Sequence, residues 1–241
     1  MTHPPDAVAR VLALHGEGRT ATEIATTVHV PRRTVADWLA GRTPRRATTD
    51  LTPWTVPQGA EGAYVHLLGL YLGDGCLSAH PRGVYKLRIT LDAVYPGIIE
   101  ECTASMRAVI GTSVRGWPRP YNDVEVYAYS KRWPQVFPQH GPGKKHERPI
   151  ALERWQTDLI LQDPRWLLRG LIQSDGCRFL NTGRNWCHAR YSFFNYSDDI
   201  RAIFCHACDL LGVRWTTAPR TVYVSRKADV ALLDEFIGPK S

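Results

Sequence analysis

Two nine-residue segments of this chain are near copies of each other, and this repetition constrains the fold more than any other feature. Residues 67–75 read LLGLYLGDG and residues 168–176 read LRGLIQSDG, an offset of 101 positions. Both are apolar segments with helical spacing that end in Asp-Gly. The same offset relates Cys76 to Cys177 and Gly111 to Gly212. The chain from about residue 61 to residue 238 is therefore predicted to be an internal duplication.

Small residues recur within each copy at a spacing that favours helix contact. They are four positions apart, Gly69 and Gly73 in the first copy, Gly170 and Ser174 in the second. Such pairs allow two helix backbones to approach closely. The contact would bring Asp74 and Asp175 together at the negative ends of two helix dipoles, where they repel unless a cation or a raised pKa relieves them. A divalent metal ion is the expected remedy.

The amino-acid composition indicates a globular protein that binds a polyanionic partner. The 241 residues are 44% hydrophobic and 22% charged, as in ordinary globular proteins, and the formal charge of +7 favours a polyanionic partner. We find no secretory leader and no apolar run of about 18 residues, so we expect a cytoplasmic, nucleoid-associated protein of bacterial or phage origin. The six cysteines are then expected to be reduced thiols. Zinc at Cys205 and Cys208 is an alternative that lacks a second well-spaced pair.

The first 46 residues predict three short helices, the second from about residue 20 to 27 and the third from 33 to 39. Thr20 and Glu23 form a capping box, and seven arginines outnumber four acids in this segment. The pattern resembles helix-turn-helix domains, which lay their third helix in the DNA major groove. A helical packing or dimerisation module is the alternative. The DNA contacts predicted here are Arg32, Arg33, Thr34, Trp38, Arg45 and Arg46.

Alternating strands follow in the duplicated region. Leu87, Ile89 and Leu91 share one face of a strand and Lys86, Arg88 and Thr90 share the other, and residues 124–129 alternate in the same way. Further strands are predicted near residues 190–195 and 221–225, and helices at about 96–110, 198–211 and 228–237. Each half is predicted to run helix, hairpin, helix, hairpin, helix. In such sheets helices are expected to cover the apolar face, and a charged partner is expected to bind the basic, aromatic face.

The two repeats and this order of elements resemble the LAGLIDADG homing-endonuclease family over about three quarters of the chain. The resemblance implies an α+β fold, a duplicated αββαββα arrangement with pseudo-twofold symmetry, preceded here by the small all-α helix-turn-helix domain. The predicted boundaries are 1–46 for that domain, 47–60 for a linker, 61–140 and 151–241 for the two halves, and 141–150 between them. Because both halves occupy one chain, a monomer with an internal pseudo-dimer is expected.

The activity that the resemblance implies is Mg²⁺-dependent hydrolysis of double-stranded DNA at a long asymmetric site. Asp74 and Asp175 match the metal-binding acids of the family, and the carbonyl groups of Gly73 and Ser174 match its backbone ligands. Two lysines at strand-to-helix junctions, Lys131 and Lys227, match the basic residues that complete the site. In the family, polar residues at the end of the second strand of each half often hold solvent near the metal. Here those positions are occupied by Leu91-Asp92, which departs from the family pattern, and by Tyr196-Ser197. The DNA contacts expected in the two halves are Lys86, Arg88, Thr90, Arg115, Arg119, Lys144, Lys145, Arg178 and Arg190.

Three other functions are compatible with the residues. A transcriptional regulator can use the same scaffold only to bind DNA, as the WhiA type does, although there the helical domain follows the duplicated one and the acids are lost. The aspartates can also serve only to end their helices, with no metal. An RNA-splicing maturase is the third alternative, which the attached helix-turn-helix pattern disfavours.

Overall fold

The computed structural model describes residues 5–42, 52–238 and 240, and it divides the chain into two units, Met1–Thr52 and Pro53–Ser241. Two of the predicted DNA contacts, Arg45 and Arg46, lie outside the described residues. None of the described helices has the length and apolar character needed to cross a bilayer.

The first unit contains the three predicted helices, α1 Pro5–Gly16, α2 Ala21–Val28 and α3 Arg32–Leu39. The capping box that begins α2 is confirmed, because the Thr20 backbone N–H donates to Glu23 Oε2 at 2.8 Å and the Glu23 N–H donates back to Thr20 Oγ1 at 3.4 Å. The left-handed conformation of His29, with φ at 53°, ends α2 and turns the chain into α3. The core of the unit is made of Val11, Ile24, Val30, Val35 and Trp38.

The second unit contains the same order of elements twice. The first half comprises α4 Glu61–Gly73, β1 Gly75–His80, β2 Val84–Asp92, α5 Pro96–Ile110, β3 Val114–Pro118, β4 Asp123–Ser130 and α6 Trp133–Val136. The second half comprises α8 Arg165–Asp175, β5 Gly176–Gly183, β6 Trp186–Phe194, α9 Asp198–Leu210, β7 Thr216–Ala218, β8 Thr221–Val224 and α10 Lys227–Asp234. Between them lies α7 Arg154–Gln162, which the sequence analysis did not predict.

Each half forms its own antiparallel sheet, with strand orders β1-β2-β4-β3 and β5-β6-β8-β7. The α+β fold with a duplicated αββαββα arrangement is therefore confirmed. The helices cover one face of each sheet, where the alternating apolar residues of β2, Leu87, Ile89 and Leu91, are buried as predicted. The counterpart helices α5 and α9 are each followed by a glycine in the left-handed conformation, Gly111 with φ at 63° and Gly212 with φ at 69°.

The two halves meet where α4 packs against α8, a contact that we call the seam. A Cβ atom built on Gly170 would lie 2.3 Å from the His66 carbonyl oxygen, and one built on Gly69 would lie 2.7 Å from the Leu167 carbonyl oxygen. Real Cβ atoms do not approach backbone this closely, so only glycine fits at these two positions. The predicted close approach of the two helices at their small residues is confirmed.

Candidate functional site

The two aspartates lie at the same end of the seam. Asp74 directly follows α4 and Asp175 is the last residue of α8. A Cβ atom built on Gly73 would lie 2.6 Å from Ser174 Cβ and 3.1 Å from Asp175 Oδ2. The last turns of the two helices are therefore in contact, and each carries its carboxylate to the same place.

Burial is the main influence on the pKa values of both carboxylates. Burial, and then repulsion from Asp175, raise the pKa of Asp74 to about 6. Asp74 remains partly exposed to solvent. Neighbouring protein atoms nevertheless displace enough water from around its carboxylate to raise its pKa. Burial likewise raises the pKa of Asp175, although a hydrogen bond from Asn195 opposes the effect. A cation at this position would favour the charged form of both.

Lys145 supplies one positive charge within the site. Its Nζ donates to the carbonyl oxygens of Tyr71 at 2.5 Å, Gly73 at 2.6 Å and Gly75 at 3.0 Å, and so neutralises the negative end of the α4 dipole. Burial lowers the pKa of Lys145 to about 8, while Asp175 and Asp74 oppose the change. We expected Lys145 to contact phosphate from a linker. Instead its ammonium group is half-buried against the end of a helix.

Lys240 holds the corresponding place in the second half. Its Nζ donates to the Gln173 carbonyl oxygen at 3.0 Å, near the end of α8, and burial lowers its pKa against the opposing charges of Asp74 and Asp175. The lysines whose charges act on both aspartates are thus Lys145 and Lys240. Each follows the last helix of its half.

The predicted basic pair, Lys131 and Lys227, is exposed and is not among the charges that act on the pKa of Asp74 or Asp175. Lys131 is exposed one residue after β4, and Lys227 is exposed at the first residue of α10. Sequence reasoning chose them because they occupy strand-to-helix junctions. The segments that follow α6 and α10 carry no periodic pattern, so nothing local indicated that Lys145 and Lys240 fold back onto the helix ends.

Asn195, which directly follows β6, is the polar side chain that contacts a carboxylate. Its Nδ2 donates to Asp175 Oδ2 at 2.7 Å, and its Oδ1 accepts the Ser197 backbone N–H at 2.8 Å. The sequence analysis placed this role one and two positions later, at Tyr196 and Ser197. Ser197 instead caps α9, where its hydroxyl oxygen accepts the Ile200 N–H.

The donor set suits a hard divalent cation. Mg²⁺ in proteins commonly binds one or two carboxylates and completes its octahedron with water and substrate phosphate. Two carboxylates and the nearby Gly73 carbonyl offer that arrangement, although Gly73 already accepts a hydrogen bond from Lys145. Among the described residues, no three His, Cys, Asp or Glu side chains converge as a protein-only cage. The residues present therefore fit a Mg²⁺ ion that shares its ligands with a bound phosphate.

The zinc alternative lacks support. Cys205 and Cys208 both lie on α9, and burial raises the pKa of both thiols, that of Cys205 to about 11. Such thiols stay protonated near neutral pH, whereas zinc binds the thiolate.

The face of the first sheet that the helices leave uncovered carries basic and aromatic side chains. Strand register brings Arg88, Tyr127 and Arg115 into one row across three strands. In the neighbouring row, Lys86 Nζ lies 4.2 Å from the centre of the Tyr127 ring and 2.5 Å from Glu125 Oε1. Thr90 lies opposite Glu125 on the same face. The predicted contacts on β2 therefore share one surface.

The second sheet repeats this arrangement at Arg190, whose guanidinium lies 3.9 Å from the centre of the Tyr223 ring. Arg178, also predicted to contact DNA, is different. It pairs with Tyr191 on the helix-covered face and donates to both carboxylate oxygens of Asp234, at 2.7 and 2.8 Å. The Arg178 side chain thus binds α10 to the sheet, and because it remains exposed its DNA contact stays a prediction.

The other predicted DNA contacts divide by exposure. Trp38 is only 3% exposed, because its ring packs in the core of the first unit, so the expectation that it contacts DNA is wrong. Arg32 and Arg33 are exposed at the start of α3, and Thr34 is half-buried. Three more are exposed on the second unit: Arg115, Arg119 with its ion pair to Asp123 at 3.5 Å, and Lys144 with its ion pair to Glu147 at 3.5 Å.

A buried polar network crosses the seam beside the site, and sequence reasoning missed it. His66 Nε2 lies 2.6 Å from Gln173 Oε1, and Gln173 Nε2 donates to Glu101 Oε2 at 2.7 Å. Arg169 Nε donates to Glu101 Oε1 at 2.6 Å. Burial lowers the pKa of His66, so the ring is neutral, donates from Nε2 and accepts from the Ser105 hydroxyl. The available signals were Arg169 and Gln173, two polar residues within a largely apolar repeat.

Comparison with known proteins returns structural likenesses only. No protein-family model and no curated protein sequence matches the chain. The chain resembles the N-terminal LAGLIDADG domain of DUF199/WhiA at 16% identity and a TM-score of 0.45, over 74% of this chain and 83% of that one. For full-length DUF199/WhiA from Thermatoga maritima the identity is 18% and the TM-score 0.49, over 77% of this chain and 58% of that one. For the homing endonuclease I-WcaI bound to its DNA recognition sequence the identity is 11% and the TM-score 0.49, over 78% of this chain and 84% of that one. The duplicated element order, the paired four-stranded sheets and the glycine-lined seam are the arrangement that the resemblance to the LAGLIDADG family predicts.

Proposed function

We propose that the protein is a site-specific double-strand DNA endonuclease that hydrolyses phosphodiester bonds with Mg²⁺. The observation that carries the proposal is the meeting of the helix ends that bear Asp74 and Asp175, where a Cβ atom built on Gly73 would lie 3.1 Å from Asp175 Oδ2. Two carboxylates brought together at helix C-termini are costly to charge, and a purely structural role gives no reason to keep both. Together they can bind a cation and a phosphate.

The surfaces beside the pair suit duplex DNA. Arg88 and Arg115 give the uncovered face of the first sheet a positive charge, since Glu125 balances Lys86, and Arg190 does so for the second sheet. Antiparallel strands of this kind fit the major groove, where basic side chains contact phosphates and guanine edges. The exposed Arg32 and Arg33 of the first unit add a second basic surface, which we propose binds DNA as a helix-turn-helix domain does.

Each residue of the site then has a separate role. Asp74 and Asp175 bind the divalent ion, which when bound would activate water and stabilise the leaving oxygen. Lys145 and Lys240 neutralise the negative helix ends and hold positive charge where a phosphate must approach two carboxylates. Asn195 holds the Asp175 carboxylate in one orientation. The internal duplication allows a monomer to act on both strands of an asymmetric site.

A regulator that binds DNA without cutting it is the second candidate, and one observation favours it. Lys145 already satisfies the Gly73 carbonyl and places a positive charge beside both aspartates. The carboxylate pair can therefore be compensated, in part, without any metal. Under this alternative the basic sheets bind DNA and the aspartates only stabilise the seam.

Cleavage of a randomised duplex library with and without Mg²⁺ separates the two candidates. The proposal predicts Mg²⁺-dependent double-strand cuts at one selected sequence. Asp74→Asn and Asp175→Asn should each lower the rate by at least about a thousandfold, because each removes a charge worth several kcal/mol to the transition state. The affinity for the selected duplex should change by less than about threefold.

A matched control is Asp158→Asn, because Asp158 is exposed on α7 and takes no part in the site. This variant should cut at the parent rate. Tight binding to a selected sequence with no cleavage, in Mg²⁺ or Mn²⁺, would refute the nuclease and support the regulator.

A further inference from the structure

We propose that the two halves of the site cut their DNA strands at unequal rates, because Asn195 holds Asp175 by a hydrogen bond whereas no described side chain donates one to Asp74. The inference rests on the proposed endonuclease function and deepens it. Asn195 is a positioning residue in this account, since it acts on the reaction only through the carboxylate that it holds.

Asn195 is fixed from both ends of its amide. Its Oδ1 accepts the Ser197 N–H at 2.8 Å, so its Nδ2 is the atom that faces Asp175 Oδ2, at 2.7 Å. Arg201 also donates to the Asn195 backbone carbonyl oxygen. A carboxylate that accepts a hydrogen bond from such an anchored donor keeps one rotamer and one oxygen directed away from that donor.

The first half has no equivalent donor. In the strand register Gly75 lies opposite Ile89 and Gly176 lies opposite Phe193, so the counterpart of Asn195 is two positions past Ile89, at Leu91. Leu91 is apolar and only 4% exposed, in the core beneath the sheet.

The polar neighbour of Leu91 does not replace the missing donor. Asp92 carries no amide, and its Oδ1 accepts the Val94 N–H at 3.0 Å. No protein group in the described part of the chain donates a hydrogen bond to the Asp74 carboxylate. Asp74 therefore feels the charges of Lys145 and Lys240 but accepts no such hydrogen bond, whereas Asp175 has both.

A single cavity borders both ends of the seam. Its volume is about 480 Å³, and its lining includes Asp175 and Asn195 of the second half together with Gly73 and Gly75, the residues on either side of Asp74. It has room for a phosphate and several waters. The cavity therefore serves both halves, and the asymmetry between them rests on Asn195.

Preorganisation sets the size of the effect. Misplacing a reacting group by about 1 Å can cost on the order of a hundredfold in rate. We expect the strand served by Asp175 to be cut at least about tenfold faster than the other strand, so that nicked DNA accumulates before the linear product.

The test is single-turnover cleavage of a supercoiled plasmid that carries the selected site, with the two strands of a linear duplex end-labelled separately. Asn195→Leu, which introduces the residue of the other half, should slow the faster strand at least tenfold and leave the slower strand within twofold. Asn195→Gln retains an amide donor and should recover part of that rate. A merely structural role for Asn195 would slow both strands together.

A second measurement does not depend on cleavage. In ¹⁵N-labelled, metal-free protein, the Asn195 Nδ2 protons should exchange slowly with solvent, and Asp175→Ala should make their exchange fast and shift their resonance. The matched substitution Asp74→Ala should leave the same signal unchanged. Thermal unfolding of each variant establishes that it is folded.

Each outcome decides the proposal. Unequal strand rates that Asn195→Leu makes equal, together with a protected Asn195 amide, support it. Equal strand rates in the parent protein, or equal slowing of both strands by Asn195→Leu, overturn the inference and leave the endonuclease intact. The absence of any cut in either strand refutes the proposed function, and the inference falls with it.

Discussion

Replacing Gly170 by alanine tests the seam on which the site depends. A Cβ atom at this position would lie 2.3 Å from the His66 carbonyl oxygen, 3.0 Å from the Leu70 nitrogen and 3.1 Å from Gly69 Cα. All three are backbone atoms of α4, which no side-chain rotation can move. Restoring ordinary contact distances would require the two helices to separate by about 1 Å, which weakens dispersion contacts along the whole seam.

Two opposing effects determine the change in stability. Alanine has a higher helix propensity than glycine, which favours the variant by about 1 kcal/mol. Overpacking in a close-packed core typically costs about 1–3 kcal/mol, and this contact with backbone belongs at or above the upper end. We therefore expect a net loss of about 2 kcal/mol, or roughly 4–8 °C in Tm for a unit of this size.

Thermal and urea unfolding of Gly170→Ala measure this loss, with Gly116→Ala as the control. Gly116 lies in β3, and a Cβ atom there would meet only the Val124 side chain at an ordinary 3.6 Å. The control should unfold within about 1 kcal/mol of the parent. A Gly170→Ala protein as stable as the parent, or more stable, would mean that the helices do not touch, and the juxtaposition of the aspartates would lose its basis.

Three further predictions concern other parts of the molecule. Substituting Arg32 and Arg33 together by alanine should weaken DNA binding and reduce the slope of log K against log salt by about 2. The control Arg10→Ala on α1 should leave the slope unchanged. If the double substitution changes neither the affinity nor the slope, the first unit does not contact DNA. Gln173→Leu should lower the free energy of unfolding in urea by on the order of 2 kcal/mol, because the buried His66 N–H and the Glu101 carboxylate each lose a hydrogen-bond partner. The control Gln162→Leu, at the exposed end of α7, should leave the stability unchanged. Hydrogen bonds from Arg178 lower the pKa of Asp234. This contact therefore stabilises the fold fully above the unfolded pKa of about 4, and the stabilisation is lost as the pH falls through the lower folded pKa. Asp234→Asn should flatten the acid side of the plot of stability against pH, and an unchanged plot would contradict the assignment.

Local patterns predicted most of the fold. Apolar alternation located β2 and β4 and gave their buried faces, and Pro96 and Gly111 gave the bounds of α5 as the structure has them. The small residues of the two repeats predicted the seam. These features depend on neighbours in sequence, so the sequence alone contains them.

Errors arose where a role depends on the distant partner of a side chain. The offset of 101 could have indicated the contact of Arg178 with α10, because its counterpart is Leu77, which is buried on the helix-covered face. Trp38 follows Val35 by three positions on α3, a core spacing. No such signal indicates Lys145 or Lys240, because irregular chain leads each of them back to the end of a helix. Asn195 required the register of β6, which only pairing with β5 determines.

A crystal structure of the protein with its selected DNA duplex and Ca²⁺, which binds oxygen ligands at about 2.3–2.6 Å, tests the central claim most directly. Our account predicts a Ca²⁺ ion at the seam that binds carboxylate oxygens of both Asp74 and Asp175 together with a phosphate oxygen of the DNA. DNA bound across the sheets with no metal ion at the seam, so that the Lys145 and Lys240 ammonium groups alone balance the aspartates, would contradict it.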